Sequence, residues 1–306
     1  MSEIILPQVE LNIYTPKDTV TATIAENYIV TSSSSPNFVR HITFDISGTD
    51  LVGRVKCGQA IGVLPPGMNE KGRPHKIRLY SVSSPDEGEG GDPTKISTTV
   101  KRVLEEWESK LYTGVASNYL ADLQPGDEVK LTGPSGRRFL LPENANDFNY
   151  IFFATGTGIA PFRAMIQQLY ASGFDKSCVL IFGCPYRTDL LYESWLDNVE
   201  SEQSGFHYLK SISREGRRPD GSKDYVQTKL TDEESLLRPL LEKPDTLIYI
   251  CGLQGMEDGI YRELLRQRLH GYFEPGRPLP EDPGALDSAE LKRMLKPSSR
   301  LFVEVY

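Results

Sequence analysis

Cysteine and histidine are scarce in this sequence. Its 306 residues include four cysteines and four histidines, and no cysteines are spaced as CxxC or lie near a histidine cluster. Zinc and iron–sulfur sites depend on such spacings, so the sequence predicts no metal site. Structural disulfides belong to oxidising compartments. The few scattered cysteines therefore indicate a reducing, cytoplasmic setting.

Long apolar runs and a surplus of positive charge are also missing. The apolar stretches, such as Tyr150–Ala154 and Leu247–Cys251, are far shorter than the about 20 residues that span a bilayer, so we expect no membrane insertion. The first residues, MSEIILPQVE, match neither a secretory signal nor a transit peptide. The formal net charge of −8 argues against nucleic acid as a partner.

The order of strand-like and helix-like segments divides the chain into two halves. Up to about Pro142, short β-rich runs such as NFVRHITFDI alternate with turn clusters such as PPGMNEKGRP, a pattern typical of an antiparallel barrel or sandwich. From Asn149 onward, buried strands such as YIFFATG alternate with helical stretches, which predicts a parallel sheet covered by helices. With ENAND between the two patterns, the sequence predicts two domains, residues 1–145 and 146–306.

Two segments of the first half suit a flavin dinucleotide. The strand-like run Arg78–Ser81 offers a cation and an aromatic ring, and small residues after Gly114 begin a helix-like stretch. The N–H groups of a helix start can bind a pyrophosphate, with Arg78 as its counter-charge. Each segment alone is more typical of an ordinary strand or an ordinary capped helix. Together they predict a flavin cradle.

The run GTGIAP (Gly156–Pro161) follows a buried strand and precedes a helix-like stretch. Its glycines allow a tight turn and a close approach of backbone to phosphate, and proline suits the first helical position. Because Pro161 stands where the dinucleotide fingerprint has its third glycine, the motif alone is a modest signal. Its strand–turn–helix setting favours phosphate binding over a simple turn.

A basic loop in the second half suits an adenosine that carries a 2′-phosphate. Ser213 and Arg214 follow the strand-like FHYLKSI, and KDYVQ begins at Lys223; cations, hydroxyls and an aromatic face are the groups that such a ligand requires. By composition alone, a solvated basic loop is the more typical interpretation. Asp189 and Glu193 leave an NADH site open, in which a carboxylate holds a free ribose hydroxyl.

Two further strand-like runs end in residues that could take part in ligand binding or catalysis. Cys251 ends a buried strand; a buried cysteine is usually a small apolar core residue, but at the carboxyl edge of a parallel sheet it would face the ligand crevice. In the final run LFVEVY, alternation places Glu304 and Tyr306 on one face. Taken alone, this run is typical of an edge strand with a solvated acid.

In their order along the chain, these segments resemble the plant-type ferredoxin–NADP⁺ reductase family. The similar stretches are GQAIGVLPPG, KIRLYSVSS, GVASNYLADLQPGDEVKLTGPSG, ATGTGIAPFRAM, LLYESW, SISRE, DYVQTKL, YICGLQGMEDGI and VEVY. The resemblance implies an antiparallel β-barrel FAD domain followed by an α/β NADP(H) domain with a five-stranded parallel sheet. It implies an FAD enzyme that exchanges hydride with NADP(H) and single electrons with ferredoxin or flavodoxin, as a monomer or weak dimer.

The resemblance also implies roles for individual residues. The flavin would be held by Arg78, Leu79, Tyr80, Ser81, Thr99, Val100, Lys101, Val115, Ala116 and Ser117. NADP(H) would be held by Thr157, Cys184, Pro185, Ser213, Arg214, Lys223, Tyr225, Gln227, Gly252, Leu253, Glu304 and Tyr306. The catalytic residues would be Ser81, Cys251, Glu304 and Tyr306. Tyr306 would cover the flavin.

Three departures from the family pattern stand out. Ala116 stands where the family commonly has a cysteine. The position at which the family has an aromatic residue that stacks on the FAD adenine falls near Glu105, so Trp107 or Tyr112 would have to substitute for it. The long loop Phe273–Asp287 has no counterpart. Two other functions stay open: a reductase component that feeds an oxygenase or another multi-component system, and a non-catalytic flavoprotein assembly module.

Overall fold

The computed structural model describes residues 2–107, 110–274, 282 and 284–306. The predicted Phe273–Asp287 loop lies in large part outside these residues. Contacts group the chain into two units. A barrel unit contains Leu6–Leu141 and Ala160–Gly173, and an α/β unit contains Pro142–Ile159 and Phe174–Tyr306 with the first residues up to Ile5. The predicted domain boundary after residue 145 stays a prediction, because a grouping by contacts does not show which segments fold independently.

The barrel unit contains eight strands and one helix from the first half of the chain. The strands are β1 (Val20–Ile29), β2 (Val39–Asp45), β3 (Ala60–Leu64), β4 (Arg78–Ser81), β5 (Lys95–Lys101), β6 (Leu104–Trp107), β7 (Lys110–Thr113) and β8 (Glu128–Ser135). The helix α1 is Val115–Asp122. Helix α2 is Ile159–Ala171, and all of it except Ile159 belongs to the same unit, together with the following residues up to Gly173.

Six of these strands form an antiparallel sheet in the order β4-β3-β8-β1-β2-β5. An antiparallel bridge between Val82 and Thr98 joins the two ends of this order, and Thr98 Oγ1 donates to the carbonyl of Ser81 at 2.8 Å. Closure of this kind leaves no free sheet edge. Alternating side chains such as Ile24, Ile42 and Leu131 fill the interior. The antiparallel barrel predicted for the first half is confirmed.

Within the residues that the structure describes, the α/β unit contains five strands and five further α-helices. The strands are β9 (Asn149–Thr155), β10 (Cys178–Cys184), β11 (Phe206–Ile212), β12 (Thr246–Gly252) and β13 (Leu301–Val305). The helices are α3 (Glu193–Glu202), α4 (Lys229–Asp232), α5 (Glu234–Leu241), α6 (Met256–Arg266) and α7 (Ser288–Met294). Among the residues described, no helix has both the length and the apolarity that crossing a bilayer requires.

The five strands form one parallel sheet in the order β11-β10-β9-β12-β13. Strands β9, β10 and β12 are buried along nearly their whole length, as expected for strands covered on both faces. The chain order reverses between β9 and β12, so the carboxyl ends of these two strands form a topological switch point, where such sheets bind ligands. The predicted five-stranded parallel sheet is confirmed.

A buried polar cluster lies within the barrel unit. Glu89 accepts two bonds from Arg163 of α2, at 2.7 and 2.9 Å, and one from Ser97 Oγ at 2.6 Å. Arg163 also donates to the carbonyl of Ser83 at 2.8 Å. His41, which is fully buried, places Nε2 3.6 Å from Glu89. Burial, reinforced by the Arg163 charge, lowers the pKa of His41 to about 4 even though Glu89 acts in the opposite direction.

We expect this cluster to make stability depend on pH. His41 stays neutral in the folded chain down to about pH 4 but becomes protonated near pH 6.5 when unfolded, so stability is full above pH 6.5 and falls as the pH drops toward 4. A shift of this size is worth up to ~3 kcal/mol. Urea unfolding between pH 7 and 4 should show a steeper loss for wild type than for His41→Gln, whose side chain does not titrate. Parallel pH curves would contradict this account.

Candidate cofactor-binding sites

The switch point of the parallel sheet is built by a very close contact between two backbones. A Cβ atom at position 158 would overlap the carbonyl of Cys251, so the turn after β9 tolerates only glycine there. Thr155 Oγ1 accepts from the N–H of Leu253 at 3.0 Å. The predicted turn Gly156–Gly158 and the predicted segment Cys251–Leu253 therefore lie together. The chain pattern gave no indication of the part played by Thr155.

The end of the last strand completes this edge of the sheet. In the parallel register, Glu304 pairs with Cys251. The Oε2 atom of Glu304 is buried and has no hydrogen-bond partner among the described residues, and burial raises the pKa of this carboxyl. Burial and the Glu304 charge also raise the pKa of Cys251. Beside them, the hydroxyls of Tyr306 and Thr157 are 2.6 Å apart. Glu304 is thus not the solvated edge acid that the terminal run alone suggests.

A second group of predicted residues lies where β10 and β11 end. The N–H of Ser213 donates to the carbonyl of Cys184 at 3.0 Å, and the N–H of Arg214 donates to Pro185 at 2.9 Å. Cys184 is buried, and burial raises the pKa of its thiol to about 12. That thiol is therefore a packing group beneath the loop, while the Arg214 side chain is exposed.

The segment that begins at Lys223 joins this loop through Asp224. The Asp224 carboxylate accepts from Ser211 Oγ at 3.3 Å and pairs with Lys229 at 3.2 Å. Lys223 is exposed and forms no ion pair within the described residues, and the Tyr225 ring is 42% exposed. Gln227 instead packs against Gly259 of α6. The contact is so close that a Cβ atom at Gly259 would lie 2.9 Å from the amide carbon of Gln227. The sequence-predicted cation and ring are thus presented to solvent beside Arg214's loop.

In the barrel unit, β4 presents the predicted flavin-strand residues. Arg78 and Leu79 are exposed, and Leu79 retains 60% of its surface. Tyr80 and Ser81 are half-buried, and burial raises the pKa of Tyr80 to about 12. Arg78 forms no ion pair in the described part of the chain. The strand therefore offers an unpaired guanidinium, an exposed apolar side chain and an aromatic ring on neighbouring residues.

The start of α1 offers uncapped backbone donors. Gly114 precedes the helix without a side-chain cap, no acid lies in the first turn, and Val115 is 49% exposed. The Ser117 hydroxyl bonds to the N–H of Val103 and the carbonyl of Gly114, both at 3.2 Å, instead of capping the helix. The first N–H groups of Val115 and Ala116 thus stay available for an anion.

Strand β5 holds three more predicted residues. Thr99 and Val100 are buried and Lys101 is exposed. Val100 belongs to the barrel core, so a flavin could contact only its backbone. The β6–β7 hairpin that follows pairs Glu105 with Tyr112. Cross-strand partners share a face, so Tyr112, which is 52% exposed, presents its ring on the face that residue 105 occupies.

Comparisons with known proteins give the chain a family. A family model for an oxidoreductase NAD-binding domain matches residues 152–262. A ferredoxin–NADP reductase of Spirulina sp is 36% identical over 307 aligned residues, which cover 97% of this chain and 99% of that protein. A chloroplastic leaf isozyme from Arabidopsis thaliana is 35% identical over 97% of this chain and 79% of its own length.

Solved structures agree on the fold. The ferredoxin–NADP⁺ reductase of Plasmodium falciparum superposes with a TM-score of 0.71 at 23% identity, over 97% of this chain and 99% of that one. A structure of the same enzyme with 2′P-AMP gives a TM-score of 0.72 at 22% identity, over 96% and 99%. With a full-length relative at 36% identity, this chain belongs to the ferredoxin–NADP reductase family.

Proposed function

We propose that the protein is an FAD-dependent reductase that exchanges hydride with NADP(H) and single electrons with ferredoxin. The observation that carries this proposal is the buried, unpartnered Oε2 of Glu304 at the switch point, next to Cys251 and the glycine turn. An orphaned buried acceptor costs stability unless a ligand satisfies it. The family membership supplies the chemical class of that ligand.

The barrel unit fits FAD. The uncapped N–H groups at the start of α1 and the unpaired guanidinium of Arg78 suit a pyrophosphate, and Tyr80 and Ser81 continue the same strand. We assign the adenine to Tyr112, because its exposed ring shares a face with residue 105 in the hairpin and aromatic rings stack on bases. The side chain of Trp107, the other aromatic residue predicted for this contact, lies outside the described part of the structure.

The α/β unit fits NADP(H). The glycine turn Gly156–Gly158 at the switch point suits the pyrophosphate. Arg214 and Lys223 suit the 2′-phosphate. The NADH alternative is weaker, because Glu193 is held by Lys210 at 2.8 Å and Asp189 is 5% exposed. The lysine neutralises the Glu193 charge and occupies one of its oxygens, which weakens this carboxylate as a partner for a ribose hydroxyl.

Bound FAD would supply the ability to accept two electrons as a hydride and release them singly. The residues of this chain would bind and orient the two cofactors. The buried Oε2 of Glu304 can accept a hydrogen bond from the amide of the nicotinamide carboxamide, and burial raises the pKa of this carboxyl. Cys251 stays a neutral thiol beside it. Ser81 holds its place through its carbonyl, which accepts from Thr98, so its hydroxyl is free to orient a ligand.

The electron partner is best matched by a small acidic protein, a ferredoxin or a flavodoxin. Several basic side chains of the barrel unit form no ion pair within the described residues, among them Lys71, Arg73, Lys76, Arg137 and Arg138. Local positive charge of this kind steers an acidic partner despite the overall charge of −8. Four free, buried cysteines support a reducing compartment such as the cytoplasm, and we propose a monomer or weak dimer.

The experiment that tests the function is an anaerobic titration of the purified protein. We expect flavin absorption bands that bleach on addition of NADPH and, with ferredoxin present, reduction of cytochrome c. Glu304→Gln should retain FAD but be reduced about 10²-fold more slowly, the scale of losing one positioned catalytic group. A colourless protein, or bands that NADPH does not bleach, would refute the proposal and leave a non-catalytic module.

The 2′-phosphate assignment predicts a selective loss on removing one cation. Lys223→Ala should lower kcat/KM for NADPH about tenfold, since charge-assisted bonds to phosphate are among the stronger ones, and should leave kcat/KM for NADH unchanged. Lys243→Ala removes the same charge from an exposed position at the end of α5 and serves as the control. Equal losses with both nucleotides would show that Lys223 does not recognise the phosphate.

Tyr306 offers a further test. Its ring is 56% exposed, and its hydroxyl bonds to Thr157, so the ring occupies the region beside Glu304 that the nicotinamide would need. Tyr306→Ser should therefore bind NADP⁺ more tightly, by up to about tenfold given an aromatic contact of ~0.5–1.5 kcal/mol. Tyr306→Phe keeps the ring and should resemble wild type. Difference spectroscopy measures both affinities; identical values for all three proteins would assign Tyr306 a packing role only.

A further inference from the structure

Tyr186 lies beside the Arg214 guanidinium in the loop after β10. Its hydroxyl accepts from Arg214 Nη1 at 3.1 Å, and the guanidinium carbon lies 5.5 Å from the centre of the ring. Nothing in the chain pattern singled out this tyrosine. In the described residues no carboxylate pairs with Arg214, so its other N–H donors remain open.

The backbone beneath this pair is firmly built. The parallel register of β10 and β11 ends at Cys184 and Ile212. Beyond it, the bonds from Ser213 to Cys184 and from Arg214 to Pro185 continue the connection into both loops. The two side chains therefore project from loops that are hydrogen-bonded to each other. Their contact is a feature of the folded sheet edge and not of one free loop.

A second connection fixes the other side of the same loops. The N–H of Arg187 donates to the Glu215 carboxylate at 2.7 Å. Arg187 directly follows Tyr186, and Glu215 directly follows Arg214. The loops are bonded both before and after the stacked guanidinium, which restricts where the guanidinium can lie.

Holding an arginine in place matters because this side chain has much conformational freedom to lose. A free arginine must give up its rotamers when a ligand binds, whereas one that already lies on an aromatic ring has lost them beforehand. Its planar fork is also directional, so a tyrosine that holds one of its nitrogens through a hydrogen bond restricts the direction of its remaining donors. Both effects favour a ligand that takes two parallel bonds, as a phosphate monoester does.

We propose that Tyr186 is a specificity-determining positioning residue: it holds Arg214 oriented toward the 2′-phosphate of a phosphorylated adenosine. This inference rests on the proposed use of NADP(H). The ring benefits only ligands that engage the guanidinium, so it raises the preference for a 2′-phosphorylated adenosine over the same nucleotide with a free hydroxyl. It adds nothing to binding of the adenine or of the 5′-phosphate.

The test uses two probes without nicotinamide, 2′-phospho-AMP and 5′-AMP, titrated into the flavin-containing protein by calorimetry. Tyr186→Ala should weaken 2′-phospho-AMP about tenfold and change 5′-AMP less than twofold. Tyr186→Phe keeps the ring and loses one hydrogen bond, so it should weaken 2′-phospho-AMP about threefold. In an Arg214→Ala background, Tyr186→Ala should have no further effect, because the residue through which it acts is gone.

The outcomes separate this inference from the function on which it rests. If wild type does not prefer 2′-phospho-AMP over 5′-AMP, both the NADP(H) assignment and the role of Tyr186 are wrong. If wild type shows the preference and Tyr186→Ala retains it, only the role of Tyr186 is wrong. Equal weakening of both probes, or a full effect in the Arg214→Ala background, would likewise reject positioning in favour of a general loss of loop structure. Thermal unfolding of each variant confirms that it is folded.

Discussion

The contact between two backbones at the centre of the parallel sheet is the constraint on which the α/β unit depends. Glycine at 158 lets the turn after β9 lie against the carbonyl of Cys251, and this contact brings the ends of β9 and β12 to one place. The strand order then reverses at that place, so that β13 adds Glu304 to the same edge. A side chain at 158 would separate a turn suited to phosphate from a carboxyl suited to an amide.

Both units contain polar groups whose hydrogen bonding is incomplete within the described residues. The start of α1 has no side-chain cap there, and the buried Oε2 of Glu304 has no hydrogen-bond partner. Such groups cost stability in the absence of a ligand. Close packing elsewhere compensates for this cost, in the filled barrel interior and in the fully buried strands β10 and β12. The binding groups and the packing groups of this chain are therefore largely different residues.

Periodicity sufficed to predict an antiparallel barrel or sandwich, a parallel sheet and the glycine turn, because these patterns lie in residues that are neighbours in sequence. The choice of a barrel and of five parallel strands came from the family resemblance. Barrel closure through Val82 and Thr98, and the contact of Tyr186 with Arg214, depend on residues brought together only by folding. Glu304 is a second example of what the sequence pattern alone could not predict. Alternation placed it on a face of the strand, but only the structure shows that its Oε2 atom is buried beside Cys251.

Helix α2 has a consequence for anyone who recombines members of this family. Its sequence belongs to the second half, yet its Arg163 supplies the cation for Glu89 inside the barrel unit. A chimaera joined at residue 145 would keep Glu89 but would take α2, and with it the cation that pairs with Glu89, from the other protein. A donor protein without arginine at the position of Arg163 would leave a largely buried carboxylate without its cation, which is strongly destabilising. Glu89, His41 and α2 should therefore be exchanged together, although they lie on both sides of the domain boundary in the sequence.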